Sequence, residues 1–333
     1  MIPQAEHLAR PDVTVIIPMY NEQENVETLV RTVEENLAQS PWSWELVLVN
    51  DGSTDSTSDE LTAAGRHNGR VRIVSYPKNR GRGYALRRGF RAARGQIVVT
   101  TEADLSYGTD IIGQLIEALE REDVDLAIAS PYAPGGRLEG VPWQRAFFSR
   151  YGNQVLRLAL GSRTATVSGM TRAYRREVLD VLDLESDGKE IHLEILSKAF
   201  ALGYRSCDIP ATLHWSLQRR QSRSRAKTFQ LLRFVVSHLL FSFAEFPFLL
   251  MGTAALLLFG LGFGAGAYAF YLSAHGVPVG HRPLTLGAVM CLLSGVQLLM
   301  FSFLAHQLRD LKRQLVRVHS HMQTLHRAGT DVG

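Results

Sequence analysis

The sequence predicts an α/β domain with a mostly parallel sheet and helices on both faces, followed by a C-terminal two-helix transmembrane hairpin. Two observations carry this prediction. Short apolar segments alternate with amphipathic segments early in the chain, as in parallel sheets covered on both faces. Two long segments near the C-terminus then contain no charged residue. With 46% hydrophobic and 20% charged residues, the composition excludes a disordered chain.

The alternation gives the elements in order. The predicted strands are Val13–Ile17, Glu45–Val49, Val71–Ser75, Ile97–Thr101 and Asp125–Ala129. The predicted helices between them cover residues 22–38, 55–64, 83–94 and 110–121. A Gly/Pro stretch at 133–136 precedes a helix from Pro142 to Leu160, and another helix covers about 189–202. In sheets of this kind, ligands bind beyond the carboxyl ends of the strands.

The charge-free segments predict two membrane spans, at about 246–273 and 284–305. Phe246–Ala274 is 29 residues long and Leu284–Ala305 is 22 residues long. At about 1.5 Å per residue, either helix exceeds a hydrocarbon core of about 30 Å. The alternative, a buried helix pair in a soluble core, is disfavoured because such helices are rarely this long and free of charge.

Basic residues flank the hairpin on one side. They are Arg219, Arg220, Arg223, Arg225, Lys227 and Arg233 before it, and Arg309, Lys312, Arg313 and Arg317 after it. The linking loop carries only Arg282. The positive-inside rule therefore places both flanks and the N-terminal domain in the cytoplasm. The first residues, MIPQAEHLARPD, lack a basic segment followed by an apolar one, so we expect no signal peptide.

These boundaries divide the chain into a cytoplasmic domain (1–225), an amphipathic helix at the membrane interface (226–245), the hairpin (246–306) and a basic cytoplasmic tail (307–333). The tail has apolar residues at helical spacing, which allows either self-association as a homo-oligomer or binding along the membrane surface. Cys207 and Cys291 lie in regions of different character and indicate no disulfide framework. The net charge is +4, and we expect membrane lipid, not nucleic acid, as the partner of the basic residues.

Three polar stretches follow predicted strands: VIIPMYNE (15–22), VLVNDGSTDST (47–57) and NRGRGYALRRGF (79–90). Asp51 after the second strand is either a turn former or a ligand residue. Gly81 and Gly83 would let the backbone approach a ligand, and a helix N-terminus there favours an anion. Position 86 is leucine where a dinucleotide fingerprint has its third glycine, so NAD binding is weakly supported.

A fourth stretch, TEADLSYG (101–108), places Glu102 and Asp104 at the end of an apolar strand. Two carboxylates this close repel each other, and they are costly to bury unpaired. A solvated turn would accommodate them. A hard divalent cation would too, because Mg²⁺ commonly binds one or two carboxylates together with phosphate oxygens.

In this order, and with SGMTRAYRRE at 168–177, the stretches resemble family 2 glycosyltransferases of the GT-A fold. The polyprenyl-phosphate glycosyltransferase branch, which includes dolichol-phosphate mannose synthases, is the most similar. The resemblance covers about 12–227. It implies metal-dependent, inverting transfer of a hexose such as glucose or mannose from a UDP- or GDP-linked donor to polyprenyl phosphate. The site implied is the cytoplasmic face of a membrane, expected to be the bacterial inner membrane.

The resemblance also implies roles on the donor side. The residues expected to hold the nucleotide-sugar are Pro18, Tyr20, Glu22, Asp51, Gly83, Glu102 and Asp104. Asp104 would be the metal-binding carboxylate of the D-x-D motif, for Mg²⁺ or Mn²⁺. Glu102 stands where the family usually has aspartate and is one methylene longer, so it would contact metal or ribose. Ser106 stands where some members have a metal-binding glutamine.

On the acceptor side, the resemblance implies an R-x-x-x-S motif at Arg145 and Ser149. The family's R-x-x-G-x-S-K loop is matched at 219–225 and gives Arg219, Ser224 and Arg225, with serine at 222 in place of glycine. The family's S-R-Y reads Ser130-Pro131-Tyr132 here, so another cation must replace that arginine at the acceptor phosphate. Independently of this, the cations at 219–227 are typical of a segment that binds anionic lipid heads.

Two other functions remain open from the residues. The first is a glycosyltransferase with a hydroxyl acceptor such as diacylglycerol or a polysaccharide. This acceptor would require a general base, and Asp187 and Glu190 are the candidates. The second is a non-catalytic scaffold that is tethered to the membrane and binds a nucleotide. His192 and Glu194 form an H-x-E pair on a helix, where residues i and i+2 do not share a face, so we interpret both as structural or Glu194 as a sugar-positioning residue.

Overall fold

The structure is a computed structural model that describes residues 10–121, 123–160, 164–215, 247–277 and 283–330. The chain divides into two compact units, one containing the sheet and the other containing the apolar helices. The strands are β1 (Val13–Met19), β2 (Trp44–Asp51), β3 (Val71–Tyr76), β4 (Ile97–Thr100), β5 (Leu126–Ser130), β6 (Arg137–Glu139), β7 (Arg172–Arg175), β8 (Ser206–Pro210) and β9 (Thr212–His214). The helices are α1 (Val26–Ala38), α2 (Thr57–His67), α3 (Arg82–Ala92), α4 (Asp110–Arg121), α5 (Trp143–Leu160), α6 (Arg176–Val181), α7 (Ile191–Ala201), α8 (Pro247–Ala274) and α9 (Pro283–Thr330).

The main sheet has seven strands in the order β3-β2-β1-β4-β7-β5-β8. The first four in this order are parallel, and β8 is parallel to β5. β7 runs antiparallel between β4 and β5. β6 and β9 form a separate two-stranded sheet. The predicted fold class, a mostly parallel α/β sheet, is confirmed, and all five predicted strands are present.

The core follows from the apolar pattern of the strands and helices. Every residue of β2 is buried, as expected for a strand covered on both faces. In α1 the buried residues share helical spacing and one face: Val26, Leu29, Val30, Val33 and Leu37. β1 has β2 on one side and β4 on the other, so the strand order reverses there. This reversal opens a crevice at the carboxyl ends of the strands.

A buried carboxylate fixes the opposite edge of the sheet. Glu45 is 1% exposed and accepts hydrogen bonds from Thr14 Oγ1 at 2.8 Å and from the backbone N–H of Arg94 at 2.7 Å. The guanidinium of Arg72 lies 3.2 Å away. Burial raises the pKa of this carboxyl, but the hydrogen bonds together outweigh burial and hold the pKa below its usual value. This network stabilises the fold and lies away from the crevice.

β7 was not predicted from the sequence. It has four residues, and its first, Arg172, is fully buried although arginine normally marks a surface position. Its guanidinium donates to the carbonyl oxygens of His192 at 3.0 Å and Val167 at 2.5 Å. These two carbonyls, from residues five and twenty positions away in the chain, accept N–H groups of the buried guanidinium and lower the cost of its burial.

Two helices are long and apolar enough to cross a membrane. The candidate spans are Met251–Ala274, with a mean hydropathy of 1.7, and Pro283–Leu308, with a mean hydropathy of 2.1. They lie at the predicted spans, and membrane association follows from their length and composition. α9 continues as a helix to Thr330, so most of the predicted tail is helical. The predicted interfacial helix at 226–245 lies outside the described residues.

Candidate active site

The acidic loop lies at the crevice, directly after β4. Its start is anchored by the backbone N–H of Thr101, which donates to the carbonyl of Ile16 at 3.2 Å. Leu105 has a φ of +48°. Residues other than glycine rarely adopt this backbone conformation, and such residues are concentrated at functional sites. The resulting turn brings Ser106 back between the two acidic residues. Its N–H donates to Asp104 Oδ1 at 3.0 Å, and its hydroxyl donates to Glu102 Oε2 at 3.2 Å.

The two carboxylates are only partly neutralised. Burial, and then repulsion from Glu102, raise the pKa of Asp104 above its usual value. Burial also raises the pKa of the neighbouring Tyr107, with Glu102 as the next cause. Arg82 Nη1 lies 3.4 Å from Glu102 Oε1 and balances one of the two charges. A second cation would relieve the remaining repulsion.

These residues fit a magnesium or manganese ion. In the described part of the chain there is no cluster of three or more histidine, cysteine, aspartate or glutamate residues that could hold a metal. The loop therefore offers an open site of two carboxylates and one hydroxyl, from Glu102, Asp104 and Ser106. Such a set suits a hard cation that takes its other ligands from water and phosphate oxygens. The assignment of each residue as a metal ligand stays a prediction.

Two cations lie at the acidic loop, and a third lies close to one of them: Arg82 pairs with Glu102, Lys189 is near enough to Glu102 to interact with it, and Arg145 is near Lys189. Arg82 comes from α3, Arg145 from α5, and Lys189 from the segment before α7. Although Lys189 is exposed overall, protein atoms crowd its ammonium and lower its pKa, and the charges of Arg82 and Arg145 lower it further. Arg145 also lies over the ring of Trp215, 4.4 Å from its centroid. Sequence analysis missed Arg82 and Lys189 because no pattern in the chain links them to the acidic pair.

The predicted nucleotide-binding residues lie at the ends of β1 and β2. Pro18 is within β1, and Tyr20 directly after it is 44% exposed. The carboxylate of Glu22 accepts a hydrogen bond from the side-chain amide of Asn25 at 2.8 Å. Because β1 and β2 are parallel neighbours, these residues and Asp51 share one edge of the sheet. Their contacts with a nucleotide stay a prediction.

Asp51 has a structural role that the sequence did not reveal. Its Oδ1 accepts from the backbone N–H of Arg80 at 2.8 Å, and its Oδ2 accepts from the N–H of Gly81 at 3.0 Å. The side-chain amide of Asn79 also donates to Oδ2 at 3.1 Å. Asp51 therefore fixes the loop that leads into α3. This supports the interpretation of Asp51 as a turn former, and its role as a ligand residue stays a prediction.

The glycines of this loop let another part of the chain approach closely. We expected Gly81 and Gly83 to admit an anionic ligand at the start of α3. Instead, the N–H of Gly83 donates to the carbonyl of Asp187 at 2.8 Å, and the N–H of Tyr84 donates to the same oxygen at 3.2 Å. A Cβ at position 83 would lie 2.8 Å from the carbonyl carbon of Asp187 and closer still to the carbonyl oxygen of Ser186. The helix N-terminus is thus occupied by the chain itself, and a donor contact of Gly83 stays a prediction.

Ion pairs hold the same segment in place. The carboxylate of Asp187 pairs with Arg87, and with Arg80 at 3.2 Å. Arg80 in turn lies over the ring of Tyr84, 3.9 Å from its centroid. The segment 186–188 is therefore clamped to α3, which positions Lys189 beside the acidic loop.

Of the predicted acceptor residues, the structure describes two. Arg145 and Ser149 lie one turn apart on α5, and the side chain of Ser149 is within hydrogen-bonding reach of the Tyr132 hydroxyl. Burial raises the pKa of Tyr132, whereas Ser149 and then Arg150 lower it. Arg219, Ser224 and Arg225 lie outside the described residues.

The H-x-E pair has two different surroundings. Glu194 accepts hydrogen bonds from the N–H groups of Glu185 and Ser186, both at 2.9 Å, and pairs with Lys198 at 2.7 Å. It supports the segment that carries Asp187. His192 is 1% exposed, and neither ring nitrogen has a hydrogen-bond partner in the described part of the chain. Burial, and then the charge of Arg172, hold the pKa of His192 well below its usual value.

The buried His192 predicts an acid-sensitive domain. At pH values below about 6.5 the unfolded chain binds a proton at this histidine and the folded chain does not, so stability falls as pH falls. One proton contributes a slope of up to about 1.4 kcal/mol per pH unit. We expect His192→Leu to flatten the decrease in apparent Tm between pH 6.5 and 5. Equal slopes in the variant and the wild type would contradict this assignment.

Comparison with known proteins agrees with this geometry. The sequence profile of glycosyl transferase family 2 matches residues 14–183, which include the crevice and the acidic loop. A polyprenol monophosphomannose synthase of Mycolicibacterium smegmatis is 34% identical over 207 residues, which cover 60% of this chain and 76% of that protein. A dolichol-phosphate mannosyltransferase of Pyrococcus furiosus is 36% identical over 192 residues, covering 56% of this chain and 52% of that protein.

Solved structures agree on the fold. A glucosyl-3-phosphoglycerate synthase of Mycobacterium tuberculosis, in complex with Mn²⁺, UDP and glucosyl-3-phosphoglycerate, superposes with a TM-score of 0.51 at 22% identity. The match covers 69% of this chain and 79% of that one. The family profile spans half of the chain. This chain is therefore a member of glycosyl transferase family 2 and a glycosyltransferase.

Proposed function

We propose that this glycosyltransferase moves a hexose from a nucleotide-sugar to the phosphate of a membrane polyprenyl phosphate, with inversion at the anomeric carbon. The observation that carries the proposal is the ion pair of Arg82 with Glu102 beside Asp104, with Lys189 near this pair and Arg145 near Lys189. A site that joins two phosphorylated substrates needs cations between them. The 34% identity to a polyprenol monophosphomannose synthase supports the acceptor, and the sugar is glucose, mannose or a related hexose on UDP or GDP.

A phosphate acceptor would need no general base. A phosphate monoester has a second pKa near ~6, so it is largely dianionic at neutral pH and has no proton to lose before it attacks. Its oxygen forms the new bond to the anomeric carbon while the bond to the donor diphosphate breaks. Arg145 and Lys189 reduce the repulsion between the two phosphorylated groups. Arg82 keeps Glu102 paired and oriented.

A divalent cation fits the site as its cofactor. Asp104 and Glu102 would hold Mg²⁺ or Mn²⁺, with Ser106 as a further oxygen ligand, and the ion would neutralise charge on the departing diphosphate. Asp104 is partly buried and repelled by Glu102, and a bound cation would relieve both effects, which supports this assignment. The structural neighbour with Mn²⁺ and UDP supports a metal-bound nucleotide of the same kind.

The membrane location follows from the two apolar helices and their basic flanks. We propose two spans, a catalytic domain on the cytoplasmic face, and the bacterial inner membrane as the site. The lipid acceptor keeps its chain in the bilayer and presents its phosphate at the surface. The basic segment at 219–227 would then contact both the acceptor and anionic headgroups.

The direct test is a transfer assay with the purified full chain. UDP- and GDP-linked hexoses would each be incubated with undecaprenyl phosphate, with Mg²⁺, Mn²⁺ or EDTA. We expect a lipid-linked sugar phosphate from one donor, its anomeric configuration opposite to the donor's by NMR, and no product with EDTA. If no lipid phosphate is glycosylated by any donor, the proposed function is wrong.

A hydroxyl acceptor remains the competing function, and Glu190 distinguishes the two. Asp187 is a poor candidate base because it is paired with Arg80 and Arg87, whereas the Glu190 carboxylate lies against Gly188. With a phosphate acceptor, Glu190→Gln should retain kcat within about threefold, because no base is needed. A loss of about 10²–10⁴-fold in kcat, with donor affinity intact, would favour a hydroxyl acceptor.

A further inference from the structure

The helix α5 exposes a cluster of aromatic side chains. Among the described residues outside α8 and α9, five large apolar side chains are exposed, and four of them lie on α5. These four, which we call the aromatic face, are Trp143 (74% exposed), Phe147 (61%), Phe148 (65%) and Tyr151 (60%). Single exposed apolar residues are common on soluble domains, whereas a contiguous apolar patch marks an interaction surface. None of the steps proposed above uses the aromatic face.

The aromatic face points away from the rest of its domain. Its residues recur along α5 at spacings of three and four positions, which places them on one side of the helix. Asn153 and Leu156, which are 4% and 6% exposed, lie on the opposite side. A surface helix of a soluble domain normally carries polar residues opposite its buried face. Because α5 carries aromatic residues there, we infer that this side meets an apolar environment outside the domain.

Contacts on the inner side of α5 hold the aromatic face in place. Asn153 Oδ1 accepts hydrogen bonds from the N–H of Val167 at 2.8 Å and from the N–H of Ser168 at 3.2 Å. On the outer side, the rings of Phe147 and Tyr151 stack, with 6.3 Å between centroids and 10° between planes. A partner would therefore meet a preformed surface, with little ordering cost.

The composition of α5 fits an anionic lipid surface. The helix contains three arginines, Arg145, Arg150 and Arg157, and no aspartate or glutamate. Tryptophan and tyrosine concentrate where a bilayer meets water, because their rings are apolar and their N–H and O–H groups stay hydrated. Arginines beside them attract anionic headgroups. A second copy of the same face would instead bring like charges together, which disfavours a dimer through α5.

The chain also supplies the reason for the domain to meet a bilayer. Two helices, Met251–Ala274 and Pro283–Leu308, are long and apolar enough to cross a membrane. A domain tethered in this way meets lipid at a high effective concentration, so a surface of modest affinity is sufficient to bind.

We propose that the aromatic face of α5 binds the surface of an anionic bilayer. Trp143, Phe147 and Phe148 enter the boundary between headgroups and acyl chains, and Arg150 contacts the headgroups. The proposal rests on the membrane location proposed above and goes beyond it, since it names the surface of the catalytic domain that touches lipid. Docking in this way holds the domain at the depth where a lipid phosphate lies.

The first test measures whether Trp143 reaches lipid. The full chain is reconstituted in vesicles of phosphatidylcholine and phosphatidylglycerol that contain brominated lipid, and quenching of tryptophan fluorescence is recorded. The chain has four tryptophans, so the Trp143→Phe variant isolates the signal of one of them. We expect this variant to lose most of the quenching, and we expect the wild type to be quenched less in vesicles without phosphatidylglycerol.

Trp42→Phe is the matched control for quenching. Trp42 belongs to the same domain, and its indole N–H donates to Glu120 at 2.7 Å. This variant should keep the wild-type quenching. Equal quenching in the wild type and in Trp143→Phe would overturn the proposal. So would a wild type that forms dimers through α5, shown by dimers that are lost in a Phe147→Ser/Phe148→Ser variant while quenching is unchanged.

The second test compares two acceptors in the transfer assay. With undecaprenyl phosphate in anionic vesicles, Phe147→Ser/Phe148→Ser should lower the rate about tenfold, because less apolar surface enters the bilayer. With the water-soluble citronellyl phosphate, the rate should stay close to that of the wild type. Both positions are exposed, so the fold should be kept. Phe147→Leu/Phe148→Leu keeps the apolar surface and should retain most of the activity in vesicles.

The pattern of loss separates docking from a role in the chemistry. An equal loss with both acceptors would place the two phenylalanines in the reaction site and would contradict docking. Unchanged rates with both acceptors would also contradict it. If the wild type transfers no sugar to either acceptor, the proposed function fails, whereas the quenching of Trp143 still decides the proposal for α5.

Discussion

Asp104→Asn is expected to lower kcat by about 10²–10³-fold or more, the typical cost of removing one charged group that stabilises a developing charge. The change keeps the size of the side chain and can still accept the hydrogen bond from the Ser106 N–H. It removes the negative charge that the cation requires. The fold should be retained, because neutralising one of two repelling carboxylates relieves their repulsion.

The measurement pairs transfer rate with nucleotide affinity in the presence and absence of Mn²⁺. In the wild type we expect Mn²⁺ to strengthen nucleotide binding, and in Asp104→Asn we expect this effect to disappear. Asp110→Asn is the matched control, because Asp110 begins α4, is exposed and contacts only Asn36 at 3.3 Å among the described residues. An Asp104→Asn variant with wild-type rate and undiminished Mn²⁺ dependence would exclude the acidic loop as the metal site.

Gly83→Ala is expected to destabilise the catalytic domain by about 3 kcal/mol. The new methyl group would meet backbone atoms of residues 186–188, which cannot rotate away as a side chain can. Either α3 or that segment must shift, and with it the hydrogen bonds from the N–H groups of Gly83 and Tyr84 to Asp187. For a domain of this size, the loss corresponds to about 6–12 °C in Tm. Activity should fall as well, because Lys189 would move.

The control is a glycine-to-alanine change in another helix. Gly113 in α4 has no atom within 4 Å of the added Cβ, and its backbone conformation is helical. Gly113→Ala should therefore raise stability by about 0.5–1 kcal/mol. Thermal unfolding followed by near-UV circular dichroism compares the two. A Gly83→Ala protein as stable as Gly113→Ala would show that the contact between α3 and residues 186–188 is not tight.

Much of the site was predictable because its signals are local. Glu102 and Asp104 adjoin a short apolar strand, and parallel strands bring their carboxyl ends to one edge, so the place of the acidic pair followed from the pattern. Arg82 and Lys189 could not be found in this way. They are 107 residues apart in the sequence, and only the contact between α3 and the segment before α7 brings both to the acidic loop.

The glycines at 81 and 83 and the aspartate at 51 illustrate a second limit. The glycines indicated that some group approaches the backbone closely, and the aspartate indicated a hydrogen-bond acceptor. Neither residue type showed which group is the partner. In the folded protein that partner is the chain itself, through the loop at 79–81 and the carbonyl of Asp187. A ligand and a distant backbone segment both need the space that the missing Cβ of glycine leaves open. The sequence alone therefore does not distinguish between them.

By itself the sequence determined the α/β class, the two apolar helices and the edge of the sheet that carries the acidic pair, because strand periodicity, helix length and charge-free runs are local properties. The tertiary structure alone decided the antiparallel β7, the burial of Arg172 and the clamp on Asp187. Each of these depends on groups that are brought together only when the chain folds. A buried arginine needs carbonyls to receive its N–H groups, and the folded chain alone supplies them.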